Sequence, residues 1–141
     1  METLKIKRFN ETITLPKYAH EGDAGLDIYS TECHRMLPGD RVTIGCMLSI
    51  KLPENTLGLI QGRSGNASKR GLTTIGNVID EGYSGEIHVI LCNTGREEVE
   101  INVGDKIAQL LIIPVCHVEV IDTLDIEGGL RGEAGLGSTG V

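Results

Sequence analysis

Short runs rich in Ile, Leu and Val, each closed by a glycine- or proline-centred turn, fill the first 122 residues of this chain. RVTIGCMLSIKL (41–52) follows the turn Pro38-Gly39-Asp40, and LGLIQ (57–61) follows Pro53-Glu54-Asn55. EIHVILCN (86–93) runs into Thr94-Gly95, and EEVEINV (97–103) alternates and ends at Gly104-Asp105. KIAQLLIIPVCHVEVID (106–122) is a longer apolar stretch interrupted by Pro114, which suits a bulge or an edge. Regularly spaced strands and turns argue for an all-β sandwich or barrel. Only GNASKRG (65–71) reads as a short helix.

With aromatics at 3% and Trp absent, the core must be built from Ile, Leu and Val, whose branched members favour strands. At 141 residues the chain suits one domain with one core. Six glycines fall between Gly128 and Val141. We therefore expect a β-barrel over 1–126 and a flexible glycine-rich C-terminal arm over 127–141.

The formal net charge of −7 disfavours a general nucleic-acid binder, so any anionic ligand must be held by a few focused cations. No apolar run is long enough to span a membrane, and METLKIKRFN lacks the apolar core of a secretory signal. The expectation is a cytoplasmic protein, with a nuclear or viral host-cell setting left open. Cys33, Cys46, Cys92 and Cys116 form no CxxC pair and read as buried, reduced thiols. His20, His34, His88 and His117 form no metal-ligand spacing.

Five stretches could carry chemistry. In GRSGNASKRG (62–71), Arg63, Lys69 and Arg70 stand beside Ser64 and Gly65, and glycine lets backbone amides approach an oxyanion. The pattern is not GxxxxGK[ST], and a basic surface turn is the plain alternative. In IGNVIDEGYSGEIHV (75–89), Asp80 would be held at a strand end, where a carboxylate can serve as general base on a water. Tyr83 could pack against a ligand ring, and the alternative is a hairpin whose Asp80 bonds turn amides. In AGLDIYS (24–30), Asp27 has apolar neighbours and needs a partner, either a cation or a metal-bound water. In GDKIAQLLI (104–112), Gln109 is polar within an apolar strand and either faces solvent or lines a site. RGEAGLGSTGV (131–141) carries the phosphate-seeking groups of Arg131, Ser138 and Thr139 on a tail with little to bury.

These five stretches, in this order, resemble the trimeric deoxyuridine triphosphatases (dUTPases) over nearly the whole chain. The resemblance implies a jelly-roll-like β-barrel that hydrolyses dUTP to dUMP and pyrophosphate with Mg²⁺, limiting uracil in DNA and supplying dUMP. It implies a homotrimer whose active sites are shared between subunits. By position, Asp80 would activate water for attack on the α-phosphorus, and Tyr83 would pack on the deoxyribose. The hairpin backbone near Asn77 and His88 would bond the uracil edge. Asp27 would hold magnesium through water. Arg63, Ser64, Gly65 and Gln109 would bind the phosphate chain, and Arg131, Leu136, Gly137, Ser138 and Thr139 on the arm would close over the substrate. The chain departs from the family pattern at Gly62, where Pro is usual, at Leu136, where Phe is usual, and at Ala134, where Gly is usual. Two rivals are a dCTP deaminase of the same fold and a nucleotide-gated regulatory protein. The deaminase needs a glutamate where this chain has Ile90.

Overall fold

The computed structural model describes residues 2–126 and 128. It contains eleven strands and one short helix. In chain order these are β1 (Lys5–Arg8), β2 (Leu26–Tyr29), β3 (His34–Met36), β4 (Arg41–Gly45), β5 (Leu48–Lys51), β6 (Thr56–Gln61), α1 (Ser64–Arg70), β7 (Leu72–Ile75), β8 (Val78–Ile79), β9 (His88–Asn93), β10 (Val99–Ile101) and β11 (Lys106–Pro114). All pairings are antiparallel. A four-stranded sheet runs β2-β11-β6-β8 and a three-stranded sheet runs β4-β9-β7, with the pairs β1-β5 and β3-β10 completing the barrel. The arrangement is a jelly roll, as the resemblance implied, and all-β, as the turn rhythm implied.

Alternation along each strand explains the core. In β9 Val89, Leu91 and Asn93 point inward while His88 faces solvent. Ile28, Ile44, Ile60, Leu72, Ile107 and Leu110 meet them from the other strands, each at most 2% exposed. Truncating one of these to alanine costs about 2–5 kcal/mol, because the cavity left behind cannot fully collapse. Asn93 is the polar exception and is satisfied: its amide donates to Met36 and Glu97 carbonyls at 3.0 and 2.8 Å, and its oxygen accepts the Gly95 N–H at 2.9 Å.

Three expectations need correction. The stretch 41–52 is not one strand: β4 ends at Gly45 and β5 begins at Leu48, with Met47 between them at φ 54°. The stretch 106–122 is strand only as far as Pro114, which can accept but not donate in a ladder. Beyond it Val118, Val120, Ile121, Leu124 and Ile126 are exposed. The cysteines are all free, but only Cys46 is buried; Cys33 and Cys116 are exposed. Their isolated positions fall in loops rather than on inward-facing strand positions.

Candidate active site

The chain passes from β6 through Gly62 and Arg63 directly into α1. Arg63 is the extended residue before the helix, and no side chain caps the first turn. The helix stops at Gly71 in the left-handed region at φ 68°, whose N–H returns to the Ala67 carbonyl. A Cβ at Gly71 would stand 2.4 Å from the Gly95 backbone, so glycine is needed there on both counts. Lys69 and Arg70 fill the last turn, and no acid stands in the first.

Asp27 lies on β2 opposite Gln109 of β11 and is 4% exposed. A carboxylate so placed must be paired. Arg63 forms an ion pair with one of its oxygens. Lys106 Nζ stands 2.7 Å from the other. The Asp27 N–H donates to the Lys17 carbonyl at 2.8 Å. Gln109 lines the site rather than facing bulk solvent, and its Nε2 donates to the Gly62 carbonyl at 3.0 Å. Asn66 ties α1 to β11 through a 2.9 Å bond to the Lys106 carbonyl. Asp27, Arg63, Ser64, Gly65, Lys69 and Gln109 share one open cavity of about 920 Å³. Lys106 and Asn66 are members that sequence reasoning passed over. The need of Asp27 for a cation was the available signal for Lys106.

A second cavity, of about 180 Å³, gathers Asp80, Tyr83 and His88. β8 pairs with β6 through Gly58↔Ile79 and Leu59↔Val78, which fixes the direction in which Asp80 leaves the sheet. Asp80 is exposed. Its carbonyl accepts the Tyr83 N–H at 3.0 Å, closing a turn over Glu81 and Gly82. Tyr83 is 45% exposed, and its hydroxyl donates to the Glu86 carbonyl at 2.8 Å. Asp80, Tyr83, His88 and Ile90 all line this cavity. Asn77 lines neither cavity. Its carbonyl accepts the Ile60 N–H at 2.8 Å, and its side-chain oxygen is buried without a partner. The two cavities have no lining residue in common. Arg131, Leu136, Gly137, Ser138 and Thr139, with the whole arm, lie outside the described residues.

A family model described as dUTPase matches residues 11–140, a span that includes both cavities. The chain belongs to the dUTPase family. A deoxyuridine 5'-triphosphate nucleotidohydrolase of Clostridium tetani is 44% identical over 98% of this chain and 97% of its own. That of Clostridium kluyveri is 45% identical over 97% of each. Among solved structures, the dUTPase of Staphylococcus bacteriophage 80alpha with dUpNHpp superposes with a TM-score of 0.93 at 28% identity, covering 100% of both chains. A variant dUTPase of phage phi11 of S. aureus, whose structure details the coordination of a structural Mg(II) ion, matches with a TM-score of 0.83 at 27% identity over 90% of this chain and all of that one. Within this dUTPase fold, no group of three or more His, Cys, Asp or Glu among the described residues is placed to ligate a metal directly.

Proposed function

We propose that this chain hydrolyses dUTP to dUMP and pyrophosphate, with Asp80 as the general base that directs a water onto the α-phosphorus. The observation that carries the reading is the small cavity in which Asp80, Tyr83, His88 and Ile90 meet. Asp80 is accessible to water and held by the β8 backbone, which is what a general base requires. Tyr83 offers its ring where a deoxyribose would pack, leaving no space for a 2′-hydroxyl. Ile90 cannot shuttle a proton, so the deaminase alternative loses its necessary group. The role in the cell would be to keep uracil out of DNA and to supply dUMP for dTMP synthesis.

The larger cavity suits the triphosphate. Arg63 and Lys69 supply charge, while Ser64 and Gly65 sit in the first turn of α1 with no side chain competing for their amides. Gln109 holds the Gly62 carbonyl and so sets the start of that turn. Magnesium fits this cavity in an outer-sphere role. Asp27 lines the cavity with its charge shared between Arg63 and Lys106, and a magnesium ion carried by phosphates and water needs only one or two carboxylates. When bound, such an ion would offset charge developing on the phosphates.

The two cavities lie on separate parts of one chain, and the segment after Pro114 exposes apolar side chains. Both features support a homotrimer in which hairpin, phosphate turn and arm come from three different subunits. The arm, with Arg131, Leu136, Gly137, Ser138 and Thr139, would close over the bound nucleotide and exclude water.

The test is pyrophosphate release from dUTP, UTP and dTTP with Mg²⁺. dUTP should be strongly preferred, and Asp80→Asn should lower kcat by roughly 10²–10⁴-fold while leaving binding in place. Near-normal turnover by that variant would overturn the assignment of the base.

A further inference from the structure

The loop that carries Asp80 and Tyr83 is fastened to the barrel by two carboxylates, one near each end. Glu81 Oε2 accepts the N–H of Asn55 at 2.8 Å. Glu86 Oε1 accepts the N–H of Met47, also at 2.8 Å. Among the described residues, Asn55 (φ 56°) and Met47 (φ 54°) are the two non-glycine residues in the left-handed region. They bracket β5: Met47 immediately precedes it, and Asn55 lies in the turn that follows it.

The Met47 contact follows from the ladder. Cys46 donates to the Ile87 carbonyl at 2.8 Å, and Ile87 donates to the Leu48 carbonyl at 2.9 Å. Met47 is thus the extra residue of a β-bulge, and its own N–H has no strand partner. A methionine there carries a backbone cost, so the conformation persists only where neighbours support it. The Glu86 carboxylate supplies that support. Gly45 makes room for it, since a Cβ at that position would stand 2.5 Å from Glu86 Oε1. The backbone carbonyl of the same Glu86 accepts the Tyr83 hydroxyl and lies 2.9 Å from His88 Nδ1. One residue therefore grips the bulge with its side chain and two cavity-lining rings with its main chain.

We infer that Glu81 and Glu86 are positioning residues for the reaction, holding the Asp80–His88 loop in register by capping a left-handed residue at each end of β5. The inference rests on the reading that this loop carries the base and the sugar-selecting ring. Glu81 adjoins Asp80, so its loss should fall mainly on kcat. The Glu86 side chain anchors the main-chain carbonyl that holds Tyr83, so losing that anchor should fall mainly on discrimination between deoxyribose and ribose.

Steady-state kinetics with dUTP and UTP test this on the full-length protein and on Glu81→Ala, Glu81→Gln, Glu86→Ala and Glu86→Gln. Glu86→Ala should lower the ratio of kcat/KM for dUTP over UTP by about tenfold, the equivalent of one well-made hydrogen bond. Glu81→Ala should lower kcat by a similar factor with KM little changed. Glutamine keeps the acceptor oxygen and should restore both. In the Glu86→Ala background, Met47→Gly removes the left-handed strain and should recover part of the selectivity. Alanine variants that lose thermal stability yet keep kcat and the dUTP:UTP ratio would overturn the inference. So would glutamine variants as impaired as the alanine ones, and these comparisons remain available if an alanine variant fails to fold. An unmodified protein that does not hydrolyse dUTP, or a fully active Asp80→Asn, would instead overturn the functional reading beneath it.

Discussion

The Tyr83 hydroxyl donates to the carbonyl of Glu86, 2.8 Å away on its own loop. Its proton is committed within the chain, and the ring face rather than the hydroxyl is left for a ligand. A Cβ at Gly85 would stand 2.5 Å from that hydroxyl, so the loop is shaped around the phenol. Tyr83→Phe should therefore still bind dUTP, with a loss of about tenfold at most, the worth of a neutral hydrogen bond. Tyr83→Ala should admit UTP, and the ratio of kcat/KM for the two nucleotides measures it.

Asp27 and Arg63 form the most buried ion pair among the described residues, with Asp27 shared by Lys106. Arg63→Ala should destabilise the fold by less than the roughly 3–5 kcal/mol of a fully buried pair, because Lys106 remains to balance the charge. Asp27→Ala, which leaves two cations facing each other, should cost more stability than Arg63→Ala. Urea midpoints at constant m-value provide the comparison.

Burial pushes the Cys46 thiol up to about 12, and the nearby Glu86 carboxylate adds to the rise. A thiolate is the reactive form, so Cys46 should resist alkylation at pH 8 while the exposed Cys33 and Cys116 react. Mass spectrometry after brief iodoacetamide treatment would show it. The same shift acts on stability. Below the ordinary thiol value of 9.0 both states keep the proton and nothing changes. Between 9.0 and about 12 only the unfolded chain releases it, so stability falls as pH rises. Cys46→Ala should flatten that decline.

Gly62 does not require glycine. No positive φ holds it, and a Cβ would have its nearest neighbour, the Thr74 nitrogen, at an ordinary 3.8 Å. Gly62→Ala should stabilise the protein by about 0.4–1 kcal/mol by restricting the unfolded chain, read as a higher Tm. Activity should hold, because the contact to Gln109 uses the Gly62 carbonyl.

Shared sites predict complementation between two inactive proteins. One carries Asp80→Asn, and the other is truncated after Gly129. Unfolded together and refolded in equal amounts, they should regain about a quarter of the sites if hairpin and arm come from different subunits, each part being intact half the time. Activity at background, with exchange confirmed by native mass spectrometry, would refute the sharing.

Much of the barrel was legible because its strands alternate and its turns carry glycine or proline, as in β6 and β9. The helix at 64–70 was legible from its closing Gly71. Met47 was not. RVTIGCMLSIKL contains no residue that favours the left-handed region at position 47, and the bulge depends on Glu86, 39 residues further on. Asp27 announced its need for a counter-charge through its apolar neighbours. Which cations would answer depended on the β2-β11 pairing and on the path from β6 into α1. The meeting of Asp80 and Tyr83 in one cavity was legible because only two residues of one turn separate a strand-end acid from a ring. The separation of the two cavities was not, since linear order says nothing about which face each turn occupies.

The chain beyond Pro114 carries Val118, Val120, Ile121 and Leu124 in solvent. Under the proposed homotrimer a single subunit is a finished barrel with an adhesive ribbon, and its last stage of maturation is an encounter rather than a rearrangement. In dilute solution the waiting time for that encounter lengthens as the concentration drops. Nascent chains made faster than they meet would accumulate with the ribbon bare, which makes the rate of synthesis itself a determinant of whether subunits assemble or clump.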